Sequence, residues 1–281
     1  MKNKLFDYVE KDNLIYNLSG VTKLLCFLCL TFAAMYAYDL RIIVLILIFS
    51  FATMHVAQIK WKQIRVMMIY VVVFLVLNIL LTFLFNPQYG CSIYGTKHEI
   101  FTIFGRYALT QEQILYQGTK TMKYLSVIPL GMLFILTTNP SEFAAALNGI
   151  KVNYKAAYAI SLTLRYFPDM VRQYNDISLA QQSRGVDLSK KEKLGKRIKN
   201  IMNIFVPLIF STLERVDVIT NAMELRGFGK HKKRTWYSKR KMRPADYACL
   251  LFCICVFVGT VVFSVYHNHG RYWNPFVYGL F

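Results

Sequence analysis

Five uncharged, apolar runs along the chain predict five membrane-spanning helices. The two longest runs, at positions 66–85 and 247–266, cover twenty residues each. About 20 apolar residues are needed for a helix to cross the hydrocarbon core. Three shorter runs are also candidates, and they cover positions 24–38, 42–57 and 124–138. This pattern is typical of an all-α membrane protein with about five transmembrane helices.

Three further expectations concern a proline inside one run, a lysine before another run, and the segment between the third and fourth runs. The fourth run contains Pro129, which membrane helices tolerate, and its start could reach back to Thr110. Lys23 precedes the first run, and we expect its ammonium group to extend to the lipid headgroups. Between the third and fourth runs, the β-prone segment 92–110 contains Gly95 and Gly105. It predicts a small external hairpin.

Composition and charge indicate the class of protein and its orientation. The chain is 55% apolar and 17% charged, against about 25% charged in a soluble domain, which argues against a soluble enzyme. Positions 139–246 hold 21 of the 34 Lys and Arg residues, and cytoplasmic segments carry an excess of these residues. We therefore expect a multi-pass protein of the cell membrane. Its N-terminus and positions 139–246 are expected in the cytoplasm, and the 86–115 loop and the C-terminus outside.

The sequence thus predicts three parts. Positions 1–138 contain transmembrane helices 1–4, positions 139–246 form a cytoplasmic domain of amphipathic helices, and positions 247–281 contain helix 5 and an external tail. The formal net charge of +19 would suit either nucleic acid or an anionic membrane surface. Because the basic run 230–243 directly precedes a predicted span, membrane lipid is the favoured partner and nucleic acid is not expected.

The cytoplasmic domain begins with a predicted break between two helices. Asn139 can cap a new helix, Pro140 suits its first position, and Glu142 lies three residues after the cap. Gly149 is a natural end for this helix.

Two further stretches of the domain resemble each other. Helices beginning at Pro168 and at Pro207 would each carry an apolar stripe at steps of three and four residues. Both would end in an Arg-Gly pair, Arg184-Gly185 and Arg226-Gly227, with an alanine one turn before each arginine. Glycine permits the left-handed turn that ends a helix.

An Arg-Gly pair at a helix end has two interpretations. It can be an ordinary charged C-terminus, which the helix dipole stabilises slightly. Alternatively, the planar guanidinium group can dock into a groove of another protein. Two copies on the same side of the membrane favour docking.

Four motifs of this region carry a resemblance to a known family. They are TTNPSE at 137–142, SLTLRYFP at 161–168, AQQSRGVD at 180–187, and VPL at 206–208 leading to AMELRGFG at 222–229. Together they resemble the transmembrane T component of energy-coupling factor (ECF) transporters, a branch of the ATP-binding cassette importers. The resemblance covers about residues 120–250 well and the first spans only by pattern.

The resemblance implies a mechanism and a set of site residues. In that family, each of two Ala-Arg-Gly triplets docks a coupling helix into one of two cytoplasmic ATPases. The matching triplets here are Ser183-Arg184-Gly185 and Leu225-Arg226-Gly227, so Ser and Leu replace Ala. The helices would carry the motion of the ATPases to a membrane-embedded, substrate-binding S component of a vitamin or micronutrient importer. Six apolar residues are candidates for contact with that component: Leu162, Leu164, Phe167, Met170, Leu208 and Leu213.

No catalytic residue, metal site or cofactor is expected in the chain itself. The sequence has no Gly-x-x-x-x-Gly-Lys-Ser/Thr motif, so ATP and Mg²⁺ are expected on the partner ATPases. The cysteines fall mostly in apolar runs and are interpreted as small core residues, including Cys26-x-x-Cys29. The alternatives are a standalone membrane carrier and a membrane-embedded enzyme with a basic cytoplasmic domain. Both are disfavoured because the runs lack charges, paired acids and duplicated halves.

Overall fold

The computed structural model describes residues 13–104, 107–186, 194–231, 235–268 and 272–273. The described part of the chain is mainly helical and contains one short hairpin. The elements in chain order are α1 (Gly20–Tyr36), α2 (Leu40–Val56), α3 (Trp61–Phe85), α4 (Tyr89–Tyr94), β1 (Glu99–Phe104), β2 (Tyr107–Thr110), α5 (Gln111–Thr137), α6 (Pro140–Gly149), α7 (Tyr154–Ser183), α8 (Leu194–Leu225) and α9 (Pro244–Tyr266).

Five of these helices correspond to the five apolar runs. Three are long and apolar enough to cross a membrane: Ile64–Phe85 within α3, Gln111–Thr137 and Pro244–Tyr266. Helices α1 and α2 have 17 residues each, so each is about 25 Å long, slightly short of the hydrocarbon thickness of about 30 Å. Helix α5 begins at the early start that the sequence allowed. The predicted class, an all-α membrane protein, is confirmed.

The chain divides into two compact units. The first contains residues 1–139 and 240–281, and the second contains residues 140–239. In the first unit, α1 packs against α9 and α5, and α2 packs against α5. The residues at the centre of this packing are all fully or nearly buried: Leu30, Ala33, Ala34, Ile46, Leu130 and Cys253. The two alanines of α1 let neighbouring helices approach closely.

A buried carboxylate joins the starts of α1 and α9. Asp246 is 2% exposed; its Oδ1 accepts a hydrogen bond from the Ser19 backbone N–H (2.8 Å), and its Oδ2 accepts one from the Arg243 N–H (2.7 Å). Because both helices begin at this carboxylate, their N-termini lie side by side, and α1 and α9 run parallel from there.

The expectation for Lys23 is wrong. Its side chain is 7% exposed, and Nζ donates hydrogen bonds to the carbonyl oxygens of Tyr16 (3.0 Å) and Thr137 (2.8 Å). The last carbonyls of a helix have no partner within the helix, so the end of α5 offers a better acceptor than distant headgroups. The ammonium group therefore ties α1 to the end of α5.

The predicted hairpin is confirmed. Strands β1 and β2 pair antiparallel, with Glu99 opposite Thr110 and Phe104 opposite Tyr107; Gly105 lies outside the described residues. Glu112, at the start of α5, is fully buried. Its carboxylate accepts from the backbone N–H of His98 (3.0 Å to each oxygen) and contacts the His98 ring (2.6 Å), which fastens the base of the hairpin to α5.

We expect Asp246→Ala to lower the free energy of unfolding by about 3 kcal/mol, since two hydrogen bonds to a charged acceptor are lost. Thermal unfolding of the detergent-solubilised protein measures the effect. Asp217→Ala is the matched control because Asp217 is exposed on α8. Equal unfolding temperatures for the two variants would contradict the role given to Asp246.

Candidate docking site at two helix ends

The second unit begins at the break predicted from Asn139, Pro140 and Glu142. Helix α5 ends at Thr137 and α6 begins at Pro140. Asn139 lies between the two helices, and Glu142 is buried in the first turn of α6. Helix α6 ends at Gly149 and packs against α7.

Helices α7 and α8 are longer than predicted, with 30 and 32 residues. The starts predicted at Pro168 and Pro207 are wrong, because both prolines lie inside continuous helices. For α7 the physical reason is a cap further upstream: the Asn153 side chain accepts a hydrogen bond from the Lys155 N–H at 3.0 Å. An internal proline removes a backbone hydrogen bond and its ring clashes with the carbonyl one turn earlier, but the apolar stripe continues across it, so packing of that stripe can offset the cost.

The two helices pack against each other in opposite directions. Near the middle of α7, Met170 Sδ lies 3.3 Å from Thr212 Oγ1 of α8. Further along α7, the Tyr174 ring lies 6.2 Å from the ring of Phe205, which precedes Thr212 in α8. Toward the start of α7, the Tyr158 ring lies 4.9 Å from the ring of Phe228, beyond the end of α8.

This contact makes the helix pair nearly symmetric. The sequence separation between Met170 and Thr212 is the same as that between Arg184 and Arg226. Each arginine therefore follows the contact point by the same length of helix, about 21 Å at a rise of about 1.5 Å per residue. Because the helices are antiparallel, the two Arg-Gly ends point away from the contact in opposite directions.

The two ends also have the same backbone geometry. At the first, Gly185 has φ +82°, its N–H donates to the Gln182 carbonyl (2.9 Å), and the Val186 N–H donates to the Gln181 carbonyl (3.0 Å). These two bonds form a Schellman cap. The predicted role of glycine in ending the helix is confirmed here.

The second end repeats this cap at the equivalent position of α8. Gly227 has φ +66°. Its N–H donates to the Glu224 carbonyl (2.8 Å), and the Phe228 N–H donates to the Met223 carbonyl (2.9 Å). Both caps therefore present the preceding arginine at the same position of the last turn.

The residues of the two triplets lie on the surface of the second unit. Arg184 and Arg226 are both exposed. Ser183 is exposed too, and its Oγ donates to the Leu179 carbonyl at 3.0 Å, so serine fits this helix end without an outside partner. Leu225 is 91% exposed, which gives the second end an apolar side chain beside its charge.

The six candidate contact residues fall into three groups. Leu164, Phe167 and Leu213 are exposed, so their side chains are accessible to a partner. Leu162 and Met170 are half-buried and line a groove of about 450 Å³ between α7 and α8. Leu208 is 8% exposed, so it offers little surface to a partner and the expectation for it is corrected.

An aromatic cluster that the sequence analysis missed supports the second end. The Phe228 ring packs on Tyr154 (5.7 Å) and Tyr158 (4.9 Å), and Tyr158 lies 6.3 Å from Trp236. The Trp236 indole N–H donates to Asn148 Oδ1 at 3.0 Å. These residues are far apart in the chain, so the sequence did not predict their contact. The one local feature that could have indicated the cluster is Phe228, the aromatic residue directly after Arg226-Gly227.

The cysteines occupy different environments from one another. Cys26, Cys249 and Cys253 come together between α1 and α9 in the first unit, with their sulfur atoms within 4.8 Å of one another. Cys255 is exposed, and Cys29 and Cys91 are half-buried. Because α1 and α9 lie near opposite ends of the chain, this cluster leaves no signal in the local sequence.

These features define a class of protein: a multi-pass helical membrane protein whose second unit presents two matching cationic helix ends. The sequence model of the cobalt transport protein family, CbiQ, matches residues 11–237. The chain therefore belongs to this family, and its resemblance to the T components of ECF transporters is confirmed.

Curated relatives are similar over most of the chain. A protein of Streptococcus equi subsp. equi named energy-coupling factor transporter transmembrane protein EcfT is 26% identical over 277 residues, which cover 92% of this chain and 94% of that protein. A protein of the same name from Clostridium kluyveri is 25% identical, covering 89% and 93%. One from Listeria innocua is 32% identical over a shorter stretch, covering 49% and 54%.

We expect Gly185→Ala and Gly227→Ala each to destabilise their helix ends by about 1 kcal/mol, because a Cβ is strained at positive φ. Amide hydrogen exchange in the last turns of α7 and α8 should become faster. Gly195→Ala is the matched control: Gly195 lies in α8 with open space around its Cα, where alanine should stabilise the helix by up to about 1 kcal/mol. If stability changed in the same direction in all three variants, the helix caps assigned to Gly185 and Gly227 would be contradicted.

Proposed function

We propose that this chain is the T subunit of an ECF-type vitamin or micronutrient importer. It couples ATP hydrolysis by two ABC-type ATPase subunits to translocation by a membrane S component, and it does so through α7 and α8. The chain itself supplies no catalytic group, and ATP and Mg²⁺ bind to the partner ATPases.

The observation that carries this proposal is the pair of identical Schellman caps, each preceded by an exposed arginine. An ordinary helix C-terminus requires a cap only on its own helix. It gives no reason for a second helix to carry the same cap and the same arginine. Two caps at equal distances from one contact point give two equivalent attachment points. Such an arrangement suits two structurally similar partners, such as two ATPase subunits.

Length and rigidity suit the helices to transmit motion. Each Arg-Gly end is joined to the contact between Met170 and Thr212 by about 21 Å of continuous helix. A displacement of either end therefore moves the region of the contact, where Phe167 and Leu213 are 65% and 53% exposed. Large apolar side chains exposed together mark an interaction surface, and we assign this surface to the S component.

The orientation follows the distribution of positive charge. The second unit contains both docking ends and lies in the basic part of the chain, so we place it in the cytoplasm, where ATP is available. The hairpin β1–β2 then lies outside the cell.

Reversing the charge at both ends, Arg184→Glu with Arg226→Glu, is expected to abolish co-purification of the two ATPases. Each single change should release one ATPase. Losing a buried charge pair at an interface costs about 2–5 kcal/mol, equivalent to a loss of affinity of at least about 30-fold. Pull-down of the tagged chain from membranes, with quantification of both ATPases, measures the effect.

Arg172→Glu is the matched control, since Arg172 is exposed on the same helix as Arg184 and forms only a loose surface pair with Asp169 (3.7 Å). It should retain both ATPases. A double variant that inserts normally and still retains both ATPases would refute the docking assignment.

The orientation is tested with single cysteines in a background whose native cysteines are replaced by serine. Ser92→Cys, in the exposed part of α4, should react with a membrane-impermeant maleimide in intact cells. Asn175→Cys, exposed on α7, should react only after the membrane is opened. Labelling of Asn175→Cys in intact cells would contradict the assigned orientation.

A further inference from the structure

Three thiols from two helices meet inside the first unit. Cys26 lies in the second turn of α1, and Cys249 and Cys253 lie four residues apart on one face of α9. The sulfur atoms of all three are within 4.8 Å of one another, and Cys26 Sγ lies 3.9 Å from Cys249 Sγ.

The position of the cluster is set by the surrounding structure. Asp246 holds the first turns of α1 and α9 side by side, and the cysteines follow within about two turns of that point. Cys253 is 2% exposed and belongs to the buried core. The cluster is therefore part of the buried contact between α1 and α9.

The separation of Cys26 Sγ and Cys249 Sγ matches that of two ligands on one metal ion, and Cys253 Sγ lies within 4.8 Å of both. With a metal–sulfur bond of about 2.3 Å, two thiolates on one ion lie about 3.8 Å apart in a tetrahedral arrangement and about 4.0 Å apart in a trigonal one. The observed 3.9 Å falls between these values. Cysteines that only fill space in a core have no physical reason to bring three sulfur atoms together.

The cluster also borders a small cavity. A space of about 90 Å³ is lined by the three cysteines together with apolar side chains of α1, α2 and α5 and with Lys23. A water molecule needs about 10–15 Å³ of such space, so this cavity can accommodate an ion.

We propose that Cys26, Cys249 and Cys253 form a binding site for one soft, monovalent cation, Cu⁺. Thiolates select soft ions, whereas Mg²⁺ and Ca²⁺ require oxygen ligands. A structural Zn²⁺ site takes four ligands, and the cluster supplies three. Binding replaces three S–H protons with three metal–sulfur bonds, releases three protons and changes no oxidation state. The bound ion would link α1 to α9.

The test uses the full-length protein in detergent under anaerobic, reducing conditions, titrated with Cu⁺ in competition with the chromogenic chelator bicinchoninate. The variant Cys29→Ser/Cys91→Ser/Cys255→Ser retains only the cluster, and it should remove one equivalent of Cu⁺ from the chelator. X-ray absorption should then show three sulfur ligands. Thermal unfolding of this variant should occur at a higher temperature with one equivalent of Cu⁺, because binding stabilises the folded state.

Cys26→Ser, Cys249→Ser and Cys253→Ser, each added to that background, should weaken Cu⁺ binding at least about 100-fold, since losing even an outer-shell partner costs about 10- to 100-fold. Cys255→Ser in the otherwise native chain is the matched control, because Cys255 lies on the same helix but is exposed, and it should bind as the native protein does. The proposal fails if the folded three-cysteine variant does not compete for Cu⁺, or if it binds with fewer than three sulfur ligands.

Discussion

The contact between α7 and α8 at Met170 and Thr212 is the constraint on which the second unit depends. Because the helices are antiparallel and each continues for an equal length beyond this contact, the two Arg-Gly ends lie at equal distances from it. The aromatic cluster around Phe228 holds the second end in addition. The chain thus builds two equivalent surface features from a single helix pair, which is the physical basis of the function that we propose.

The sequence predicted the features that depend on local chemistry. Uncharged runs located the five apolar helices, and β-prone residues located the hairpin. Glycine after arginine located both helix ends, because a left-handed turn requires the same residue wherever it occurs.

Helix starts were harder to predict. Pro168 and Pro207 suit a first turn, but proline is also tolerated inside a long helix whose apolar stripe continues, and local sequence does not distinguish the two cases.

Long-range contacts account for what the sequence did not predict. Lys23 was expected at the headgroups, yet its acceptor is at the end of α5, on a distant part of the chain. Leu208 was a candidate for a contact surface but is 8% exposed, and periodicity within its own helix does not predict that burial. Cys26 and Cys249 appeared as unrelated core residues. For Lys23 and for the cysteines the deciding partner lies on another helix, so these features depend on tertiary packing and not on local sequence.

The central claim is that the two helix ends contact separate ATPase subunits. Site-specific photo-crosslinking tests it most directly, with the photoreactive amino acid placed in turn at Ser183 and at Leu225 in the native membrane. Each position is expected to crosslink to one P-loop ATPase subunit. The same group at Asn175, which is exposed on α7 nine residues before Arg184, is expected not to crosslink to either one. Crosslinks from both ends only to lipid, or to a membrane subunit, would contradict the claim.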